Sequence, residues 1–312
     1  MVNKGFIIYG AGNRGKWIYE LLKWRGLEDR IVCFSDQKYE TIDKCCEKDV
    51  ISLSEAIQKN RKFLISIEDR QIVDKVRMEI EQLGGEAFSF DELYKVLEEE
   101  QHVFYREWCA FHHAKQNDEW FKIAEDEEVV EVFWGADSSF VELFEKLNLK
   151  HTIEIACGWG RHVPYYVDKT EETTLVDIVD ENISLCKERF KDKDNIIYYK
   201  NNGFNLEKLS SEAYTCVFSY DSFVHFELFD VYEYLKDMYR VLIPGGMALL
   251  HHSNYNKDYK VNFTSGPHAR CFMDKQIFAY MANRVGFRIV EQRVIDWYGE
   301  KDLDCITLLE KV

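Results

Sequence analysis

The chain has 312 residues, 46% of them apolar, with a formal charge of -16 and only 3 Pro beside 16 Gly. That length suggests about two domains, each with its own core, and so few Pro and Gly, spread along the chain, argue against long flexible linkers or low complexity. The acidic balance argues against nucleic acid as the partner, because phosphate binding needs a basic surface; a small molecule fits better.

The first residues, Met1 to Gly5, lead into a strand, and no apolar run reaches membrane-spanning length. A cytoplasmic protein with no membrane partner is expected. The nine cysteines are scattered, with one adjacent pair, Cys45 and Cys46, and no C-x-x-C. This is the pattern of reduced thiols, and no metal is expected.

Residues 1–90 alternate strand and helix patterns. Strands are predicted at Phe6–Tyr9, Ile31–Phe34 and Phe63–Ile67; one helix runs through Trp17, Leu21 and Leu22, and Ser52 to Glu55 opens another. Ile72, Val76 and Ile80 mark the face of a third helix. Such alternation means an α/β domain with a parallel sheet. Gly10-x-Gly12-x-x-Gly15 follows the first strand and opens a helix, and Asp36 ends the second strand. That is the context of a dinucleotide fingerprint, with a pyrophosphate at the helix N-terminus near Asn13 and Arg14 and Asp36 on a ribose. The segment resembles the small Rossmann-like domains that bind nucleotides or nucleotide-sugars at the front of sugar-modifying enzymes. It has only one half of a dehydrogenase fold, so a degenerate domain used for dimerisation or substrate anchoring is the other reading.

Residues 91–135 turn helical, acidic and aromatic (Glu98 to Glu100, Trp108, Trp120, Phe121, Trp134), and read as a connector or cap. His112 and His113 within it are structural or line a substrate pocket. From residue 136 to 312 the alternation resumes, with strands ending at Glu154-Ile155 and at Thr174–Val176, Ile196–Tyr199, Cys216–Ser219 and Met247–Leu250, the last entered by a turn at Leu242 to Gly246. Phe287–Val290 and Asp304–Leu309 come late and close together, which suits an antiparallel edge hairpin.

The stronger chemistry lies in this second half. The strand carrying Glu154 breaks into Ala156-Cys157-Gly158-Trp159-Gly160, where missing Cβ atoms let the backbone approach a ligand. Asp177 ends the next strand, where a carboxylate can accept from a ribose diol. Asn202 and Gly203 follow the third strand, suited to an adenine edge. Together these features resemble the class I S-adenosylmethionine-dependent methyltransferases over roughly residues 115–312, with Ala156 replacing the first glycine of the family's motif and Asn202 its acidic adenine-side residue.

The resemblance implies two Rossmann-like units, the second a mostly parallel seven-stranded sheet, and S-adenosyl-L-methionine as cofactor. It puts Glu154 near the amino group or orienting the loop, Gly158 and Gly160 under the methionine part and Asp177 on the ribose; Ala156, Cys157, Ile178, Asn202, Gly203 and Ser219 complete the cofactor-binding set. Within the family, Phe218 to His225 and His251 to Asn254 look like the methyltransferases of sugar and polysaccharide biosynthesis. An O-methyltransferase acting on a sugar or nucleotide-sugar is therefore expected. His225, His251 and His252 are candidate bases, His225 and His252 preferred, with Asp221 to orient an imidazole. His268 and Arg270, in the polar loop from Asn262 to Arg270, would suit a phosphate or anionic sugar. A nicotinamide-linked oxidoreductase using Gly10 to Gly15 and a non-catalytic cofactor sensor remain the alternatives, and a homodimer is compatible with any of them.

Overall fold

The structure is a computed structural model that describes residues 5–116 and 122–312. Met1 to Lys4, expected to lead into the first strand, and Trp120 and Phe121 of the aromatic stretch lie outside the described residues. The chain divides into two compact units, Met1–Phe111 and His112–Val312.

In the first unit, β1 (Phe6–Tyr9) leads to α1 (Asn13–Trp24), β2 (Ile31–Ser35), β3 (Lys44–Cys45), β4 (Lys48–Ile51), α2 (Leu53–Lys59), β5 (Lys62–Ile65), α3 (Arg70–Gln82), β6 (Glu86–Ser89) and α4 (Leu93–Leu97). The long helix α5 (Gln101–Gln116) begins here and ends in the second unit. The sheet order is β3-β4-β2-β1-β5-β6, parallel except for the β3–β4 hairpin. Its five parallel strands thus stand in the order third, second, first, fourth, fifth, which reverses between β1 and β5, as doubly wound sheets do. The sequence gives no sign of the hairpin, because its turn is made by Cys46 and Glu47, at φ 49 and 68, rather than by the usual Asn or Gly.

Helix α3 starts where Asp69 accepts the backbone N–H groups of Gln71 and Ile72. Its buried side is Val76 and Ile80, while Ile72, expected on that face, is exposed. Strand β5 stops at Ile65 rather than Ile67, and Ser66 turns its hydroxyl onto the carbonyls of Tyr9 and Gly10. Trp17, Phe90, Phe104, Trp108 and Phe111 pack largely edge to face, a geometry that adds to the area they bury.

The second unit, after the end of α5, runs α6 (Glu127–Trp134), α7 (Ser139–Phe144), β7 (His151–Ile155), β8 (Glu172–Asp177), α8 (Asp180–Arg189), β9 (Ile196–Lys200), β10 (Tyr214–Phe223), α9 (Leu228–Val241), β11 (Leu242–Ser253), α10 (Lys275–Val285), β12 (Phe287–Trp297) and β13 (Glu300–Lys311). Its sheet order is β12-β13-β11-β10-β7-β8-β9. Five strands are parallel, and β13 and β12 run antiparallel as the expected edge hairpin. The turn expected at Leu242 to Gly246 is a bulge inside β11: Tyr214 faces Leu242, but Cys216 already faces Met247.

Alternation along the strands splits the core into two layers. Cys216, Phe218, Tyr220 and Leu249 join Phe133, Phe140 and Phe144 on one face; Val217, Ala248 and Leu250 join Tyr234, Met238 and Phe278 on the other. The order reverses between β7 and β10, and open α/β sheets bind their ligands beyond the carboxyl ends of the strands at such a point.

Candidate functional site

Three residues of the glycine turn after β7 have positive φ: Ala156 (56°), Gly158 (54°) and Gly160 (74°). At Gly160 a Cβ would also stand 2.5 Å from the Phe190 ring, so packing as well as backbone demands glycine there. The turn is tied to the next strand by the Gly158 N–H, which donates to Asp177 Oδ2 at 2.9 Å. Asp177 Oδ1 accepts from Val179 N (2.9 Å) and Asn182 Nδ2 (3.1 Å), across the half-buried Ile178. Burial pushes the Asp177 carboxyl up to about 6, with the N–H donors pulling it back. With the Ile178 N–H also contributing, its acceptor positions are therefore largely occupied inside the protein. The free diol clamp expected from sequence is instead chiefly a tether of the turn.

Glu154, at the end of β7, is 1% exposed. Tyr166 donates to its Oε2 at 2.6 Å, while Oε1 is buried with no partner. Burial pushes this carboxyl up to about 8, against the pull of Tyr166 and Arg161. Cys157 is buried, its thiol held well above its ordinary range by Cys186 and by burial. Asn202 Oδ1 accepts from Phe204 N and Asn205 N and so caps its own turn, beside Gly203 at φ 82. Ser219 is a correction: fully buried, it donates to Ile155 O at 2.8 Å and clasps β10 to β7.

The acceptor-side expectations divide sharply. Adjacent residues on a strand face opposite layers, and His251 and His252 do so. His252 stacks on Phe278 at 3.8 Å and spends its nitrogens on Ser253 O and Thr307 Oγ1. It is fully buried, and burial pushes its pKa down to about 4, so the expectation of a base gives way to a neutral core residue. His251 Nδ1 accepts the Asp221 N–H at 3.2 Å, which puts its proton on Nε2, facing Asp304 Oδ2 at 3.0 Å.

Asp304 also takes Arg270, through Nε at 3.0 Å and Nη2 at 2.5 Å. Burial raises the Asp304 carboxyl, but His251 and Arg270 outweigh it and hold the group well below the usual range. Arg270 is 2% exposed and also donates to His268 O; expected as a substrate anchor, it is an internal brace, because a buried guanidinium needs an anion beside it. His268 is exposed, at φ 47. Asp221, at φ 58, pairs with Arg161 at 2.9 Å rather than with an imidazole side chain.

His225 remains. It is half-buried in the loop after β10, its Nδ1 lies 2.9 Å from Ala269 O, and His113 of α5 lies 4.8 Å from it, ring to ring. A carbonyl can only accept, so the proton sits on Nδ1 and Nε2 carries the lone pair. Burial, His113 and Arg270 push its pKa down to about 3. Sequence reasoning assigned no role to Arg161, Tyr166 or Asp304; only Arg161 had a local signal, its place directly after the glycine motif.

In the first unit, Ala11 N donates to Asp36 Oδ2 at 2.8 Å, repeating the Gly158–Asp177 tie. Gly10 sits at φ 108, and a Cβ on Gly15 would lie 2.1 Å from Gly10 O. Gly12 and Asn13 are exposed, and nothing stands within 4 Å of a Cβ on Gly12. Arg14, expected near a pyrophosphate, pairs with Glu68 at 3.0 Å.

Residues 153–250 match the sequence model of a family described as a methyltransferase domain. No curated protein matches. Among solved structures, the chain is similar to an S-adenosylmethionine-dependent methyltransferase from Mesorhizobium loti (11% identity, 55% of this chain and 96% of that one, TM-score 0.45). It is also similar to one from Methanosarcina mazei (16% identity, 55% and 97%, TM-score 0.45). Residues 153–250 of the second unit thus match a methyltransferase domain, and the cofactor it implies is S-adenosyl-L-methionine. The site accommodates that group: Glu154 Oε1 is an uncommitted buried acceptor suited to an ammonium, and the positive-φ turn offers close backbone approach. Among the described residues no helix is long and apolar enough to cross a membrane, and no group of three or more His, Cys, Asp or Glu is placed to hold a metal.

Proposed function

We propose that the protein methylates a hydroxyl of a sugar, nucleotide-sugar or polysaccharide precursor, with His225 as the base. The observation that carries this reading is the hydrogen bond from His225 Nδ1 to Ala269 O, which fixes the tautomer and puts the lone pair on Nε2, in the loop after β10. When bound, S-adenosylmethionine supplies a methyl group activated on a sulfonium. Glu154 Oε1 holds the ammonium of its methionine part, the turn from Ala156 to Gly160 passes beneath it, and Asp177 keeps the shape of that turn. The acceptor hydroxyl gives its proton to His225 Nε2 as the oxygen takes the methyl group. His251, Asp304, Arg270 and Asp221 position this edge without touching the reacting atoms. His113, beside His225, lines the acceptor side.

The open, exposed backbone at Gly12 and Asn13 supports the first unit as the holder of a nucleotide handle. The test is calorimetry with S-adenosylmethionine followed by mass spectrometry of a nucleotide-sugar panel. Binding with methylated product that disappears in His225→Ala supports the reading; binding with no product across the panel favours a cofactor sensor, and no binding removes methyl transfer altogether.

A further inference from the structure

The edge hairpin breaks a local rule at its tip. Trp297 of β12 faces Glu300 of β13, so the turn has two residues, Tyr298 and Gly299, both at positive φ (43° and 88°). Such turns take Asn-Gly or Asp-Gly, because few other side chains tolerate the first position. A bulky ring there is an outlier, and the core does not require it, since Tyr298 is 53% exposed. The tip lies on the same edge of the sheet as the site: Ser253, the last residue of β11, pairs with Asp304, so the start of β13 and the turn before it stand beyond the carboxyl end of β11. Burial and Asp221 push the Tyr298 hydroxyl up, against the pull of Arg161, which puts both charged groups within electrostatic reach of it. His268, also exposed, has its ring 6.0 Å from that of Tyr298, tilted by 31°. Its own carbonyl accepts Arg270 Nη1 at 2.7 Å, and the carbonyl of the next residue, Ala269, accepts His225 Nδ1. The two exposed rings therefore stand one residue along the chain from the carbonyl that orients the base.

A phenol and an imidazole side by side offer flat apolar faces with donors and acceptors at their rims. A pyranose has the matching make-up, C–H groups on its faces and hydroxyls around its edge. An alkyl chain would cover the two rings without replacing their hydrogen bonds to water. We propose that Tyr298 and His268 receive the pyranose ring of the acceptor, with a C–H face of the sugar on the Tyr298 ring and a sugar hydroxyl bonded by His268. This role rests on the sugar reading above and gives the strained backbone at Tyr298 its purpose, to present the ring.

Calorimetry on the full chain tests it with UDP-glucose, UDP-N-acetylglucosamine, GDP-mannose and dTDP-glucose, each set against its free nucleoside diphosphate, so that the gain contributed by the sugar is read directly. At least one sugar should bind wild type more tightly than its diphosphate. Tyr298→Asn, which suits the turn but removes the ring, should weaken that sugar about 10-fold and leave the diphosphate unchanged. It should also raise the melting temperature by about 2–4 °C, because the turn is relieved of strain. Tyr298→Phe keeps the ring and most of the gain, and His268→Ala loses part of it. No sugar gain in wild type, a gain that survives Tyr298→Asn, or a gain lost together with a lower melting temperature would overturn the proposal. Weaker binding of the diphosphate itself in Tyr298→Asn would put a nucleobase on the ring and overturn it as well. Methylation is read separately by mass spectrometry. A sugar gain lost in Tyr298→Asn with no methylated product keeps the two rings as a sugar site and removes the methyl-transfer reading, whereas methylated product without any sugar gain removes the rings and keeps methyl transfer.

Discussion

Asp177 accepts the backbone N–H of Gly158 at 2.9 Å, so one carboxylate holds the shape of the cofactor turn from the neighbouring strand. Asp177→Ala strands three donors in a buried setting, at about 1–3 kcal/mol each before relaxation. The variant should lose at least about 3 kcal/mol in urea unfolding as well as cofactor affinity. Loss of affinity with full stability would show that the tether is unimportant.

Glu154 titrates at about 8 in the folded chain against an ordinary 4.5. A raised carboxyl binds its proton more tightly folded than unfolded, so its contribution is complete below pH 4.5 and is lost as pH rises through 8. Thermal unfolding of wild type should therefore show a downward drift in stability across that window that is absent in Glu154→Gln. Cofactor binding near pH 7 should release about one proton, since an ammonium beside Oε1 favours the ionised form; calorimetry in buffers of different ionisation enthalpy reads this directly.

His225 has its pKa lowered to about 3. Methyl transfer should therefore show no protonation limb near pH 6.5, the ordinary histidine value, and should persist toward acid until other groups fail. His225→Ala should reduce kcat by about 10²–10⁴ with cofactor Kd unchanged. A limb at pH 6.5 that survives in His225→Ala would assign the base elsewhere.

Asp304 is the shared anion of Arg270 and His251, at zero exposure. Asp304→Ala leaves the Arg270 guanidinium buried beside Asp221 alone, at 3.9 Å, and should cost about 3–5 kcal/mol of stability. Denaturant unfolding measures it, and His252→Phe, at a stacked core position, is the comparison that should cost less.

In the first unit, Gly15→Ala collides with Gly10 O and should destabilise the fold, whereas Gly12→Val meets open space. If this turn holds a nucleotide, Gly12→Val leaves the melting temperature intact and removes the thermal protection given by UDP-sugars or NAD. Protection by NAD alone would favour the oxidoreductase alternative.

The local periodicities along the chain sufficed for most of the strands, though not for β6, and for the glycine turns, the edge hairpin and the acidic residues ending β2 and β8, because each rests on neighbours within a few positions: burial alternation, a positive φ, a cap. The β3–β4 hairpin escaped because Cys46 and Glu47 adopt positive φ without the residue types that announce it. The division of labour among His225, His251, His252 and Arg270 could be settled only by tertiary structure. Strand pleating turns His251 and His252 to opposite layers, and the antiparallel insertion of β13 beside β11 brings Asp304 to His251 across 53 positions of chain. That one buried carboxylate consumes the cation that looked like a substrate anchor, since the need to neutralise buried charge is met by whatever the fold places nearby, not by what the sequence places nearby.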